Sequence, residues 1–91
     1  MTKDEFKQYF LEGRDIEWKY NQVGFGMIPK DEDESGRDCI SVYKANTGPI
    51  HYVNSFEELV SIQFDGVTVM EMLESLGDEE EAEKRGDLHI W

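Results

Sequence analysis

Few side chains in this chain could do chemistry. There are two imidazoles, His51 and His89, and one thiol, Cys39. Each His is flanked by apolar residues, Ile50 and Tyr52 or Leu88 and Ile90, and reads as a strand-edge or surface residue rather than a base. Zinc takes three or four ligands, and one Cys with two distant His makes no such set. Cys39 falls inside a strand pattern and reads as a small core residue. No serine sits in a nucleophile elbow. Asp31-Glu32-Asp33-Glu34-Ser35-Gly36 opens like a calcium loop, but its eighth position is Asp38 and its twelfth is Val42. A calcium loop needs an apolar anchor and a bidentate Glu there, so a solvated hairpin loop is the better reading. Gly24-Phe25-Gly26 lacks the third glycine and the following helix of a dinucleotide fingerprint. Carboxylate pairs such as Glu57 and Glu58 carry no information about acid–base catalysis among 21 acids. The reading is non-enzymatic, with no catalytic residue, no metal and no cofactor.

The pattern of carboxylates remains. Residues 45–83 hold ten acids and no base. Residues 1–44 hold ten acids against seven bases, and the last eight residues carry one net positive charge, giving −12 in all. Such charge disfavours direct binding to nucleic acid or to an anionic membrane, and favours a basic partner, a cation or plain solubility. Carboxylates three or four apart on a helix lie about 5–6 Å apart at Cβ. Duplex DNA presents one charge per ~1.7 Å of axis. Rows of carboxylates on helices and a loop approach that density. The candidate partner-binding residues are therefore Asp31, Glu32, Asp33, Glu34, Glu57, Glu58, Glu71, Glu74, Asp78, Glu79, Glu80 and Glu81. A solvated face that keeps a small protein soluble is the plainer reading, but a base-free run of this length is unusual even for an acidic domain.

These carboxylates need a scaffold. The chain has 91 residues, 38% hydrophobic and 12% aromatic, a folding composition rather than that of a disordered acidic tail. A chain this size buries roughly 60–65% of its unfolded surface, enough for one modest core. A single cysteine suits a reducing cytoplasm. The start lacks the apolar centre of a signal peptide, and no run is long and apolar enough for a transmembrane helix.

Along the chain, Thr2 to Glu5 is a capping box, and Phe6, Tyr9 and Phe10 follow helical spacing, which predicts a helix over about Lys3 to Glu12 ended by Gly13. Asp15 to Asn21 alternates, with Ile16, Trp18 and Tyr20 on one face. Asn21-Gln22 makes a turn. Val23, Phe25 and Met27 continue on a second strand that Pro29 ends, with Gly24 and Gly26 left bare because another backbone approaches. Cys39 to Tyr43 is a third strand, Ala45 to Pro49 a turn, and Ile50 to Val53 a fourth strand. Ser55 to Glu58 and Thr68 to Glu71 are further capping boxes, around the turn Asp65-Gly66. The first opens a helix with Phe56, Leu59 and Val60 inward. The second opens one with Val69, Met72, Leu73 and Leu76 as its buried stripe, ended by Gly77. Residues 78–91 read as an acidic short helix or a charged tail that docks through Leu88, Ile90 and Trp91.

The helix followed by Gly13-Arg14-Asp15-Ile16-Glu17-Trp18-Lys19-Tyr20-Asn21 resembles small uncharacterised acidic α+β proteins of Gram-positive bacteria and their phages. Asn54-Ser55-Phe56-Glu57-Glu58-Leu59 and Asp65-Gly66-Val67-Thr68-Val69-Met70-Glu71-Met72-Leu73 resemble the closing helices of the same group. Gln22 stands where that group has Gly. The resemblance spans roughly residues 3–76 and implies a fold and a mobile-element context, with no reaction attached. In size and charge the chain is also similar to anti-CRISPR proteins that mimic DNA.

The expected fold is α+β. An antiparallel sheet of three to five strands carries an N-terminal helix and two helices from the C-terminal half on one face. Residues 1–77 form the compact domain. The expected core is Phe6, Phe10, Ile16, Trp18, Tyr20, Phe25, Ile40, Val42, Phe56, Leu59, Val69, Leu73 and Leu76. The expected function is a non-enzymatic inhibitor from a phage or mobile element. It occupies the nucleic-acid surface of a host defence nuclease, and a CRISPR effector nuclease is the kind of basic partner meant. The alternative is an immunity or regulatory module that grips its partner through an apolar patch including Trp91. A small-ligand or metal enzyme is a third, weaker reading.

Overall fold

A computed structural model describes the backbone of all 91 residues and the side chains of all but residues 47–49. The fold is α+β, with four helices and a five-stranded antiparallel sheet. Helix α1 (Lys3–Leu11) opens on the full capping box. The Glu5 amide donates to Thr2 Oγ1 at 3.2 Å, and the Thr2 amide donates to Glu5 Oε1 at 2.8 Å. Phe6 is fully buried, and it and Phe10 pack their rings on Phe56 at 5.5 and 5.3 Å.

Strand β1 (Ile16–Tyr20) turns at Asn21-Gln22 into β2 (Val23–Glu32). Both turn residues have positive φ, 50° and 65°, the backbone twist that suits a two-residue hairpin. Tyr20 pairs with Val23, and Ile16 with Met27. Pro29 does not end β2, which continues to Glu32. Pro29 sits where the register with β3 (Asp38–Lys44) shifts, between Ile28 and Asp31. A bulge tolerates a residue that has no N–H to give the ladder. β4 (Thr47–Val53) follows a turn at Ala45-Asn46, so the strand starts earlier than expected.

Gly26 is bare for a different reason than an approaching backbone. A Cβ there would overlap the ring end of Tyr43, its cross-strand partner, and one on Gly24 would come within 3.3 Å of the Ala45 Cβ. Tyr43 on the neighbouring strand and Ala45 in the turn after it cover these positions.

Helix α2 (Phe56–Ser61) is capped by Ser55, which accepts the Glu58 amide at 3.2 Å. Only this half of the expected box forms, because Glu58 Oε2 reaches the Asn54 amide, at 3.4 Å. The short strands β5 (Gln63–Phe64) and β6 (Val67–Thr68) make a small hairpin around Asp65-Gly66, with φ of 53° and 83°. Helix α3 (Val69–Glu74) opens on the complete Thr68–Glu71 box. The Met1 ammonium donates to the carbonyls of Leu73 and Gly77, at 3.1 and 2.9 Å, where that helix leaves acceptors unpaired.

Helix α4 (Glu79–Arg85) begins on the Asp78 cap and ends on Gly86 at φ 81°. It leads into β7 (Leu88–Ile90), which pairs antiparallel with β1 and gives the sheet order β4-β3-β2-β1-β7. Of the expected core, Phe10 and Tyr20 are only partly buried, and the others are buried. Met1, Met27, Val60, Met72, Ala82 and Leu88 join them in one cluster on a single face of the sheet. Among the described residues no helix is long and apolar enough to cross a membrane.

The Gly26–Tyr43 contact is testable. Gly26→Ala should destabilise the fold by about 1 kcal/mol, the low end of overpacking, as Tyr43 is pushed aside. In a Tyr43→Ala background the same change should be neutral or stabilising, because the backbone entropy gain of about 0.4–1 kcal/mol then stands alone. A urea-unfolding double-mutant cycle reads that reversal of sign.

Candidate partner-binding surface

The candidate carboxylates are arranged by helix caps and turns, and most hold a local bond as well as a charge. Asp78 Oδ1 accepts the Glu80 amide at 2.9 Å and starts α4. Glu71 Oε1 lies 3.0 Å from the Thr68 hydroxyl and 3.3 Å from its amide, closing the box of α3. Glu57 lies 3.5 Å from Lys3, and Glu80 lies 3.5 Å from Lys84. Such exposed pairs contribute only about 0–1 kcal/mol each and leave the carboxylates accessible. Asp33 is a turn-former. Its Oδ1 accepts from the Ser35 hydroxyl at 2.6 Å and from the amides of Ser35 and Arg37. The Ser35 hydroxyl and then the Arg37 amide hold its carboxyl below the usual range. The side chains of Glu32, Glu34, Glu74 and Glu81 make no hydrogen bond or ion pair among the described residues, so their charge is wholly available to a partner.

The fold gathers acids into two concave places. One is a groove of about 360 Å³ between α1 and α4, lined by Glu5, Tyr9, Gly77, Asp78, Glu79, Glu80 and Glu83. The other is a cavity of about 750 Å³ where β2, β3 and α1 meet. Asp31, Glu32 and Asp38 edge it, Phe10, Pro29, Cys39 and Ile40 supply its apolar surface, and Lys30 and Asn54 complete it. Asp31 is fixed there by the Ser41 hydroxyl at 2.7 Å. Glu57, Glu58, Glu71 and Glu74 line neither place and stand on α2 and α3.

Sequence reasoning missed Glu5, Asp38 and Glu83 as members of these groups. Glu83 belongs to the acidic run after Gly77, and that run was the available signal. Glu5 was accounted for by its cap, and nothing local shows that α4 folds back beside it. Cys39 is 8% exposed. Burial, then the carboxylates of Asp31, Asp33, Asp38 and Glu32, push its thiol up, which keeps it protonated and a poor nucleophile. Among the described residues no group of three or more His, Cys, Asp and Glu side chains is placed to hold a metal ion.

The α1–α4 groove holds one unusual carboxyl. Tyr9 donates its hydroxyl to Glu79 Oε2 at 2.7 Å, while Glu79 Oε1 is buried with no partner among the described residues. Burial and the facing Glu5 push Glu79 up, while the Tyr9 bond opposes them. Glu5 is held low, first by the amide and then by the hydroxyl of Thr2. The Tyr9 phenol, bonded to Glu79, is pushed up to about 12. Of the two facing carboxyls, Glu79 is therefore the one that takes up a proton at the higher pH.

Comparisons with protein-family models, with curated proteins and with solved structures return no match for this chain.

Because the folded pKa of Glu79 is raised, its contribution to stability is full below the ordinary carboxyl range and is lost as pH rises through the folded value. Glu79→Gln keeps the Tyr9 bond and gives the buried oxygen's position a donor toward Glu5. It forfeits about 0.3–1 kcal/mol of helix-dipole attraction and relieves an unsatisfied buried group worth about 1–3 kcal/mol. The variant should be more stable than the parent at pH 7.5 and equal to it at pH 3.5. Urea midpoints at the two pH values check this.

Proposed function

We propose that this chain is a non-enzymatic acidic inhibitor of phage or mobile-element origin that occupies the nucleic-acid-binding surface of a host defence nuclease. A CRISPR effector nuclease is the kind of target meant. The observation that carries the reading is the base-free run of residues 45–83, with ten acids, on short capped helices. Capping bonds hold the carboxylates of Glu58, Glu71 and Asp78, Lys3 pairs with Glu57, and Glu74 and Glu81 extend the rows without side-chain partners among the described residues. Little side-chain entropy is then lost when Lys and Arg from a partner replace counterions along these rows. The groove between α1 and α4 adds Glu5 and Glu83 to the same sector as Glu79 and Glu80. The chain acts as a decoy through charge and shape, and transforms nothing.

An interaction module without DNA mimicry is the second reading, and it has one specific observation behind it. Trp91 is 61% exposed. The last residues are also structural, since Leu88 is in the core and β7 pairs with β1. A truncation of residues 88–91 would therefore damage the fold, and Trp91→Ala is the clean probe.

The two readings differ in charge dependence. For a decoy, Glu74→Lys with Glu81→Lys and Glu83→Lys should cost more than tenfold in affinity for a basic nuclease, with the thermal midpoint close to that of the parent. Glu71 is avoided because it closes the cap of α3. Affinity of the parent should fall steeply between 50 and 300 mM salt, and added duplex DNA should displace it. Binding that ignores salt and DNA but is lost in Trp91→Ala would replace the decoy with the apolar module. Isothermal calorimetry against the purified nuclease supplies both numbers.

A further inference from the structure

The helices cover one face of the sheet and leave the other open. By alternation and register, His89, Glu17, Gly26 and Tyr43 lie abreast across β7, β1, β2 and β3 on the open face. Ile28, Ser41 and Tyr52 form the next row. Among the described residues four large hydrophobics are exposed, and three belong to this side of the molecule. Ile50 and Tyr52 are 49% and 39% exposed on β4, and Trp91 follows β7. Trp91 lies over this face, stacked on His89 at 4.0 Å, with its indole N–H donating to Glu17 Oε1 at 3.3 Å. Its amide donates to the Asp15 carbonyl and its own carbonyl accepts from Arg14 Nε, so the residue is held in place rather than trailing. Exposed apolar side chains gathered on one face mark a contact surface.

Charge selects the occupant. In a protein of net charge −12, this face carries an opposite-sign pair, Glu17 and Lys19, both exposed and two residues apart on β1. Asp15 stands at its rim near Tyr43, and Asp31, Asp33 and Glu34 stand at its rim near Tyr52. A basic partner has far more to gain on the helical side. Another copy of this acidic chain has the open face as its place of least repulsion. Strand β1 laid antiparallel over β1 of a copy sets Glu17 opposite Lys19 and Lys19 opposite Glu17, the self-complementarity a twofold interface requires. A groove of about 240 Å³, lined by Glu17, Lys19, Tyr43 and Ala45 among others, leaves room for an incoming side chain.

We propose that a second copy of this chain packs on the open sheet face, giving a twofold dimer whose acidic helices point outward on both sides. The inference rests on the fold and is independent of the inhibitor reading.

Sedimentation of the purified protein from 5 µM to 1 mM tests it. Association should strengthen as salt rises from 0.05 to 0.5 M, because salt screens repulsion between the two acidic bodies. Tyr52→Ser with Trp91→Ala should be monomeric at the top concentration. Glu17→Lys alone and Lys19→Glu alone should each weaken the dimer about tenfold, converting attraction to repulsion at two exposed sites. The swapped pair Glu17→Lys with Lys19→Glu, which still lacks the acceptor for the Trp91 indole, should associate more tightly than either single reversal, which no loss of folding would do. A monomer at every concentration and salt overturns the proposal. So does a dimer indifferent to the single reversals, which would place the interface elsewhere.

Discussion

Ile16 and Trp18 on β1 are what the rest of the molecule packs against. Ile16 lies between Met27 and Ile90, and Trp18 between Phe25 and Leu88, so strands flank β1 on both sides. The Trp18 ring runs near-parallel to Phe25, with centroids 6.0 Å apart. The Trp18 indole N–H is buried without a partner among the described residues. That orphan costs about 1–3 kcal/mol. Burying an indole of roughly 150–250 Å² at about 25 cal/mol/Å² is worth about 4–6 kcal/mol, so area outweighs the lost bond. The fold keeps Trp there for its size.

Every helix then has to present an apolar stripe to this centre and place its charge elsewhere. With 21 acids and nine bases the excess is large. The helices answer it by setting carboxylates in their first turns, where the dipole favours them and free amides need acceptors. Short helices, of six to nine residues, have many N-termini per unit length and so accommodate many acids. The arrangement that lets an acidic chain fold is also the one that holds carboxylates in fixed rows. Glu79 marks its limit. Beside Glu5 and partly buried, it is where one carboxylate too many meets another.

Local pattern made much of this legible. The alternation through Ile16, Trp18 and Tyr20 and the boxes at Thr2 and Thr68 concern residues close in sequence, and those elements formed as read. The failures needed information from elsewhere in the chain. Pro29 reads as a strand end, yet the register shift between β2 and β3 absorbs it. Gly26 reads as space for a backbone, yet Tyr43 fills it. The tail read as a docking segment, and three residues cannot announce a strand when their ladder partner is Ile16 to Trp18, seventy or more positions away. For the candidate surface, the carboxylates were legible one by one. Their grouping around α1 and α4 was not, because Glu5 and Glu79 meet only once the fold has closed.

The sheet separates two kinds of surface, and charge gives them opposite responses to salt. On the helical side, the excess of carboxylates would attract a cationic partner, and salt would screen that attraction. On the open side, contact with a like-charged copy is apolar burial working against repulsion that salt also screens. Raising ionic strength therefore loosens the first and tightens the second. Both follow from where β1 sends alternate side chains. Ile16 and Trp18 bring all the helices to one face, and Glu17 and Lys19 put charges of both signs on the other. A single residue's slip in the register of β1 would exchange those faces and abolish both surfaces at once. The Asn21-Gln22 turn prevents it, because a two-residue hairpin with both φ values positive admits one register between Tyr20 and Val23.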